Sequence, residues 1–163
     1  MANLFDDSDH RILTALQADG RLSVAELAAK AQLTSSPTWR RVKRLEDAGV
    51  IATYGAGLDR RALGWGVLAF VTVKIGDHNE AEARAFEEAV DDLPQIVACW
   101  SIAGSADFLL QVVERDLDSY GEFAMTTIRR LPGIRAMQTI FTLKEVKPQA
   151  AWPIPEGQAA GVD

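Results

Sequence analysis

Residues 33–51 read LTSSPTWRRVKRLEDAGVI, and how they fold decides how the rest of the chain is understood. Thr34 stands in a capping position. Pro37 falls in the first turn of the helix that follows, where a missing N–H costs little. Val42 and Leu45 form that helix's buried pair, and Ala48-Gly49 ends it. The face away from the pair carries Ser36, Pro37, Arg40, Arg41 and Arg44. Just upstream, Ser23-Val24-Ala25-Glu26 has capping-box spacing and opens a helix with Leu27, Ala28 and Ala31 inward. The tight turn Ala31-Gln32-Leu33-Thr34 joins the two. An arginine-rich stretch alone is commonly a solvated face. Two short capped helices about a tight turn, with a strand reading after them, point further, to a helix-turn-helix whose second helix enters the major groove.

Arginine matches guanine O6 and N7 with two hydrogen bonds, and small hydroxyls permit close approach. Ser35, Ser36, Pro37, Thr38, Arg40, Arg41, Lys43 and Arg44 are therefore the candidate contacts to double-stranded DNA. Lys43 and some of the arginines are assigned to phosphates, which fix position and carry no sequence information. Trp39 has two readings: packing against the first helix, or touching the DNA backbone or a thymine methyl.

Outward from this pair, a first helix starts near residues 6–8, with Asp7 or Ser8 as its cap. Ile12, Leu13 and Leu16 are its apolar stripe, and Asp19-Gly20 stops it. Residues 50–58 read as a short strand or hairpin, loosened by Gly55 and Gly57. Residues 1–60 thus form a winged-type helix-turn-helix unit. The second half has another rhythm. Strands are expected at 67–75, 96–102, 108–113 and 137–146, with helices at 80–92 and 116–130. Gly104-Ser105-Ala106-Asp107 is the turn between the middle strands. The order β-α-β-β-α-β is that of a ferredoxin-like domain, spanning residues 61–147. The fold class is α+β, and residues 148–163 read as a loosely ordered tail that Trp152 could anchor.

The net charge of −6 argues against nucleic acid only until the chain is divided. Residues 1–60 carry eight basic and eight acidic groups, and residues 61–163 carry nine and fifteen. All the excess negative charge lies in the second part, and local potential governs phosphate attraction. No run of about 18 apolar residues is present, so no membrane span is expected. Residues 1–9 are acidic and lack a signal-peptide pattern, which sets the expectation of a cytoplasmic, nucleoid-associated protein.

Catalytic readings find little support. Cys99 reads as a small apolar residue in a strand and excludes an internal disulfide or multi-cysteine zinc site. His10 lies on the first helix and His78 in a polar turn, and neither accompanies a nucleophile elbow. The pairs Glu87-Glu88 and Asp91-Asp92 read as solvated charge. No catalytic residue, metal site or cofactor is expected. The alternative kept open is a metabolite-binding or enzymatic second half, with the N-terminal helices serving assembly.

The chain resembles the leucine-responsive regulatory protein and AsnC (Lrp/AsnC) family of bacterial regulators. The resemblance rests on Asp9-His10-Arg11-Ile12-Leu13, Leu16, Asp19-Gly20-Arg21, residues 33–51, GSADFL at 104–109, Leu131-Pro132-Gly133 and Glu145-Val146-Lys147. It implies dimers formed through the sheets, often assembled as homo-octamers, with an amino acid or related metabolite bound near the turn after the second ferredoxin-like strand. Carried onto this chain, the effector candidates are Gly104, Ser105, Ala106 and Asp107, with Tyr120, Thr139, Phe141 and Thr142 beside them. Backbone N–H groups of a glycine turn suit a carboxylate, and Asp107 suits an α-ammonium group. Alternatively, Gly104 is only the hairpin turn and Asp107 its cap. Ser105 and Ala106 stand where relatives often have an acidic then an aromatic residue, so the pocket's shape is expected to differ.

Overall fold

The computed structural model describes residues 5–76, 80–148 and 151–155. The chain divides into two compact units: residues up to Gly57 together with those from Lys147 on, and Leu58–Val146. His78 and the rest of the tail lie outside the described residues.

The first unit is built on α1 (Asp7–Ala18), α2 (Val24–Ala31) and α3 (Ser35–Asp47). The cap of α1 is Asp6, one residue earlier than expected. Its carboxylate accepts the N–H groups of Ser8 and Asp9, each at 2.9 Å, and the Asp9 carboxylate returns to the Asp6 N–H. This is a capping box built from two aspartates. Ser23 and Glu26 form the expected box on α2. Gln32 then turns the chain with φ 57, a left-handed conformation that few side chains other than glycine adopt. Thr34 occupies the cap position of α3 without a side-chain cap bond. Ile12, Leu13, Leu27, Ala31 and Leu45 are the buried core, with Val42 partly buried against it.

Two expectations here are corrected. Residues 50–58 form neither strand nor hairpin. A strand needs a ladder of hydrogen bonds to a neighbour, and no described strand of this chain lies beside them. The described part of the tail is anchored, but not by the Trp152 ring. Ile154 packs on the helical core, and Gln17 Nε2 donates to the Trp152 carbonyl at 3.1 Å. The Trp152 ring itself stays in solvent, so the anchor is Ile154.

The second unit is a four-stranded antiparallel sheet in the order β2-β3-β1-β4, from β1 (Val67–Ile75), β2 (Ile96–Ser101), β3 (Phe108–Glu114) and β4 (Ile134–Phe141). Its helices are α4 (Glu80–Asp91) and α5 (Leu117–Thr126). One sheet face holds Ala69, Val71, Val73, Phe108, Leu110 and Val112, which join Phe86, Val90, Tyr120, Phe123 and Ile128 in the core. Register places Trp100, Leu109, Phe70 and Ile140 on the other face. The helix expected to run to Arg130 ends at Thr126, and a 3₁₀ turn, Ile128–Arg130, follows. The last strand starts and stops earlier than expected. Across a register shift, Ile134 meets Ile75, and beyond Phe141 opposite Ala69 only Thr142 N–H still reaches Leu68. β4 begins opposite the last residue of β1 and stops two residues short of its first.

Candidate DNA interface and ligand site

On α3 the core side is Thr38, Val42 and Leu45. With roughly 100° per residue, Ser36, Arg40 and Arg44 point away from it, and Arg41 turns toward one flank. Ser35, Ser36, Arg40, Lys43 and Arg44 are exposed, and Pro37 is half-buried. Thr38 is a correction. It is fully buried, and its hydroxyl donates to the Thr34 carbonyl at 2.9 Å, so it fastens the first turn of α3 and meets no solvent. Trp39 is 58% exposed and borders a groove of about 360 Å³ with Leu16, Leu22, Leu27 and Tyr54. It therefore leans on the first two helices with one side and meets solvent with the other.

The basic residues of α3 have different surroundings. Arg41 Nη1 lies 2.7 Å from Asp6 Oδ2 and 2.9 Å from Asp9 Oδ1. Arg44 Nη2 bonds the second Asp9 oxygen. Lys43 pairs with Asp47 at 2.8 Å. Among the described residues Arg40 has no acidic partner. Arg41 and Arg44, named from the sequence as DNA contacts, are thus ion-paired to the start of α1. Asp9 is 1% exposed, and a carboxylate held that far from water requires positive partners. Burial pushes the Asp6 carboxyl up, but the Asp9 N–H, the Arg41 guanidinium and the Ser8 N–H outweigh this and hold it below its ordinary value. Asp6 raises Arg41 most, and Asp9 adds to it.

The effector candidates fall into two groups. Gly104 has φ 147, and a Cβ placed there would meet nothing within 4 Å, so space lies open over the turn. Ser105 is exposed, while Ala106 is buried. Asp107 stitches three segments. Its N–H donates to Val73 O, its carbonyl accepts from Ile102 N–H, and its Oδ2 accepts the Ile75 N–H at 2.7 Å. Tyr120, Thr139 and Phe141 form the other group: the Tyr120 hydroxyl bonds Thr139 Oγ1, and its ring meets Phe141 edge-on at 4.9 Å. Thr142 follows directly. Asp107 is bonded at Val73 and Ile75, while Thr139 and Phe141 on β4 are paired with Val71 and Ala69. The turn and this cluster thus stand at opposite edges of β1, two to six residues apart along it.

The comparisons with known proteins fit both units. A family model described as winged helix-turn-helix DNA-binding matches residues 5–52, and one described as Lrp/AsnC ligand binding domain matches residues 68–152. The chain belongs to the Lrp/AsnC family. It is a DNA-binding transcriptional regulator with a ligand-binding domain. Among its relatives, the Bkd operon transcriptional regulator of Pseudomonas aeruginosa is 40% identical over 154 residues, covering 94% of this chain and 100% of the relative. The transcriptional activator DecR of Escherichia coli K12 is 33% identical over 151 residues, covering 93% and 99%. A Neisseria meningitidis transcriptional regulator solved as an L-Met complex superposes with a TM-score of 0.87 at 34% identity, covering 91% of this chain and 96% of the other.

Two features of this Lrp/AsnC chain escaped the sequence reading. Asp9 was read as part of the acidic N-terminal stretch and of the family resemblance, with no role toward α3. Its signal was the Asp6-x-x-Asp9 capping spacing, together with arginines three apart on α3. The second feature is a cavity of about 380 Å³ beside the turn, bounded by Ser101, Phe108 and Cys99 on the sheet and by Glu87, Val90 and Asp91 on α4. No residue named from the sequence as an effector contact lines it.

Proposed function

We propose that this regulator binds double-stranded DNA as a homodimer, assembles further toward a homo-octamer, and changes its DNA affinity or assembly when an amino acid or related metabolite binds at the 104–107 turn. The observation that carries the reading is the exposed face of α3, where Ser35, Ser36 and Arg40 stand free of the core at the groove-entering end of a helix-turn-helix. The sheet supports dimerisation. Its face away from the helices carries Phe70, Leu109, Trp100 and Ile140 among Thr72, Gln111 and Gln138, with Trp100 45% and Ile140 53% exposed. Exposed large apolar side chains grouped on an uncovered sheet face mark an interaction surface.

The turn supports an amino-acid effector. Open space over Gly104 admits a carboxylate to backbone N–H groups, and the Neisseria relative was solved as a complex with L-Met. The Tyr120–Phe141 cluster and the turn lie at opposite edges of β1 in one protomer, and we place both in one effector site where two copies meet. The ligand then shifts assembly, because it binds one arrangement of copies better than another. Several half-sites engaged at once multiply a weak single-helix contact.

The test is a gel-shift with the protein's own upstream DNA across a salt series, with and without each amino acid. Salt-dependent binding that one amino acid strengthens or weakens is expected. No salt-dependent binding to any duplex would refute the DNA reading.

A further inference from the structure

Asp9 is the most deeply buried charged group of the first unit, and it faces the helix that reads DNA. Its two oxygens accept from Arg41, from Arg44 and from the Asp6 N–H, so the carboxylate is fully used. Arg41 also reaches Asp6, which caps the same helix. The start of α1 is thus clamped to two successive turns of α3. Two arginines and two aspartates cancel in charge, and Lys43 is held by Asp47. What remains outward and unpaired among the described residues of α3 is Arg40, one turn from the exposed Ser36.

We propose that Asp9 divides the labour of α3. It withdraws Arg41 and Arg44 from base reading, uses them to fix the angle at which α3 leaves α1, and so determines which base pairs Arg40 reaches. Asp9 is a positioning residue that sets specificity without touching DNA. The physical argument is geometric. Arginine reads guanine with a bidentate fork, which tolerates little misalignment. Guanidinium–carboxylate pairs formed on two turns restrict both tilt and rotation of the helix. Neutralising Asp9 would also release a positive charge beside the DNA face, which favours phosphate over any sequence. Asp9 therefore suppresses non-specific grip while it aligns specific grip. The inference rests on the DNA-binding reading above.

The experiment is fluorescence anisotropy of the full chain on its upstream site, on that site with each base pair changed in turn, and on a scrambled duplex, over a salt series. Circular dichroism confirms folding. Arg40→Ala is expected to lose roughly 5- to 150-fold at one or two base pairs of each half-site and to flatten preference there. Asp9→Asn keeps an acceptor for the Asp6 N–H. It is expected to flatten preference at those same base pairs, to bind the scrambled duplex more tightly, and to steepen the salt slope by about one per protomer. In the Arg40→Ala background, Asp9→Asn adds no further loss of preference. If Asp9→Asn does not fold, Arg44→Gln serves, because Arg41 still compensates Asp9; it too is expected to blur only the base pairs Arg40 reads. A folded Asp9→Asn with the wild-type preference profile overturns the proposal. So does an Arg44→Gln loss at base pairs of its own that adds to that of Arg40→Ala. If the wild type binds no duplex, the DNA reading itself has failed, which is a different result.

Discussion

Replacing Asp107 separates two roles that the sequence left open. Its Oδ2 accepts the Ile75 N–H at 2.7 Å, which ties the turn to the end of β1. Asp107→Ala removes a charged acceptor and leaves that N–H without its partner. Hydrogen bonds to charged groups contribute about 1.5–3 kcal/mol, and Asp107 is only half-buried, so the lower half of that range applies. For a unit of the size of Leu58–Val146, each kcal/mol moves the melting midpoint by about 4–8 °C, giving a loss of about 6–18 °C. Asp107→Asn keeps an acceptor oxygen and loses only the charge, so a loss of about 2–8 °C is expected. Differential scanning calorimetry of the full chain measures both. Repeating it with a panel of amino acids then isolates the ligand role. If Asp107→Asn melts near wild type yet no longer responds to an amino acid that stabilises wild type, the charge serves an ammonium group. If Asp107→Ala melts at the wild-type temperature, the carboxylate does not hold the strands and the structural argument is wrong.

Acid should loosen the first unit through Asp6. Its folded pKa lies below the ordinary 3.8, so its contribution is complete above that value and is lost as pH falls through the folded pKa. The stability gap between wild type and Asp6→Asn, read by urea unfolding from pH 6 downward, should close below about pH 4. Cys99 should react slowly with iodoacetamide at pH 8, because burial first and Glu87 second push its thiol up; labelling as fast as a free thiol would contradict this. Ile154→Ala should destabilise the first unit by about 1 kcal/mol, since Ile154 is only partly buried against the helical core; an unchanged urea midpoint would show that the tail contributes nothing. Ile140→Lys should shift the chain toward monomer in analytical ultracentrifugation while leaving its circular dichroism unchanged, and an unaltered mass would place the dimer contact elsewhere.

Much of the fold was legible because its signals are local. The Ser23–Glu26 box, the helical spacing of Ile12, Leu13 and Leu16, and the run of β-branched residues in β1 each constrain their own segment. The errors arose where a partner decides. Residues 50–58 have strand composition, but a strand is completed by its neighbour. The start of β4 follows the reach of β1, which hydropathy does not encode. The site was less legible for the same reason. Thr38 looked like a small groove-facing hydroxyl, yet its place on the helix turns it into the core. Asp107 matched an ammonium ligand by chemistry, and only the fold reveals that it holds the Ile75 N–H. Tyr120 and Phe141 were named separately and do meet, through packing 21 residues apart in sequence.

The same logic changes what charge means in this regulator. Counting basic residues between Arg40 and Arg44 gives four positives at the DNA face, and counting the whole chain gives −6. Neither number describes what a phosphate would meet. Lys43 faces Asp47, and Arg41 and Arg44 face Asp9, so most of the local excess is neutralised inside the first unit. A helix with one unpaired cation has few phosphate contacts to offer, and its salt dependence per protomer is correspondingly shallow. Such a helix grips non-specific DNA poorly by itself. Under the proposed function, useful affinity would then come from several copies acting together, which a ligand would control by favouring one assembly. Internal neutralisation of α3 and the proposed dependence on assembly would then be two consequences of the same arrangement of charges.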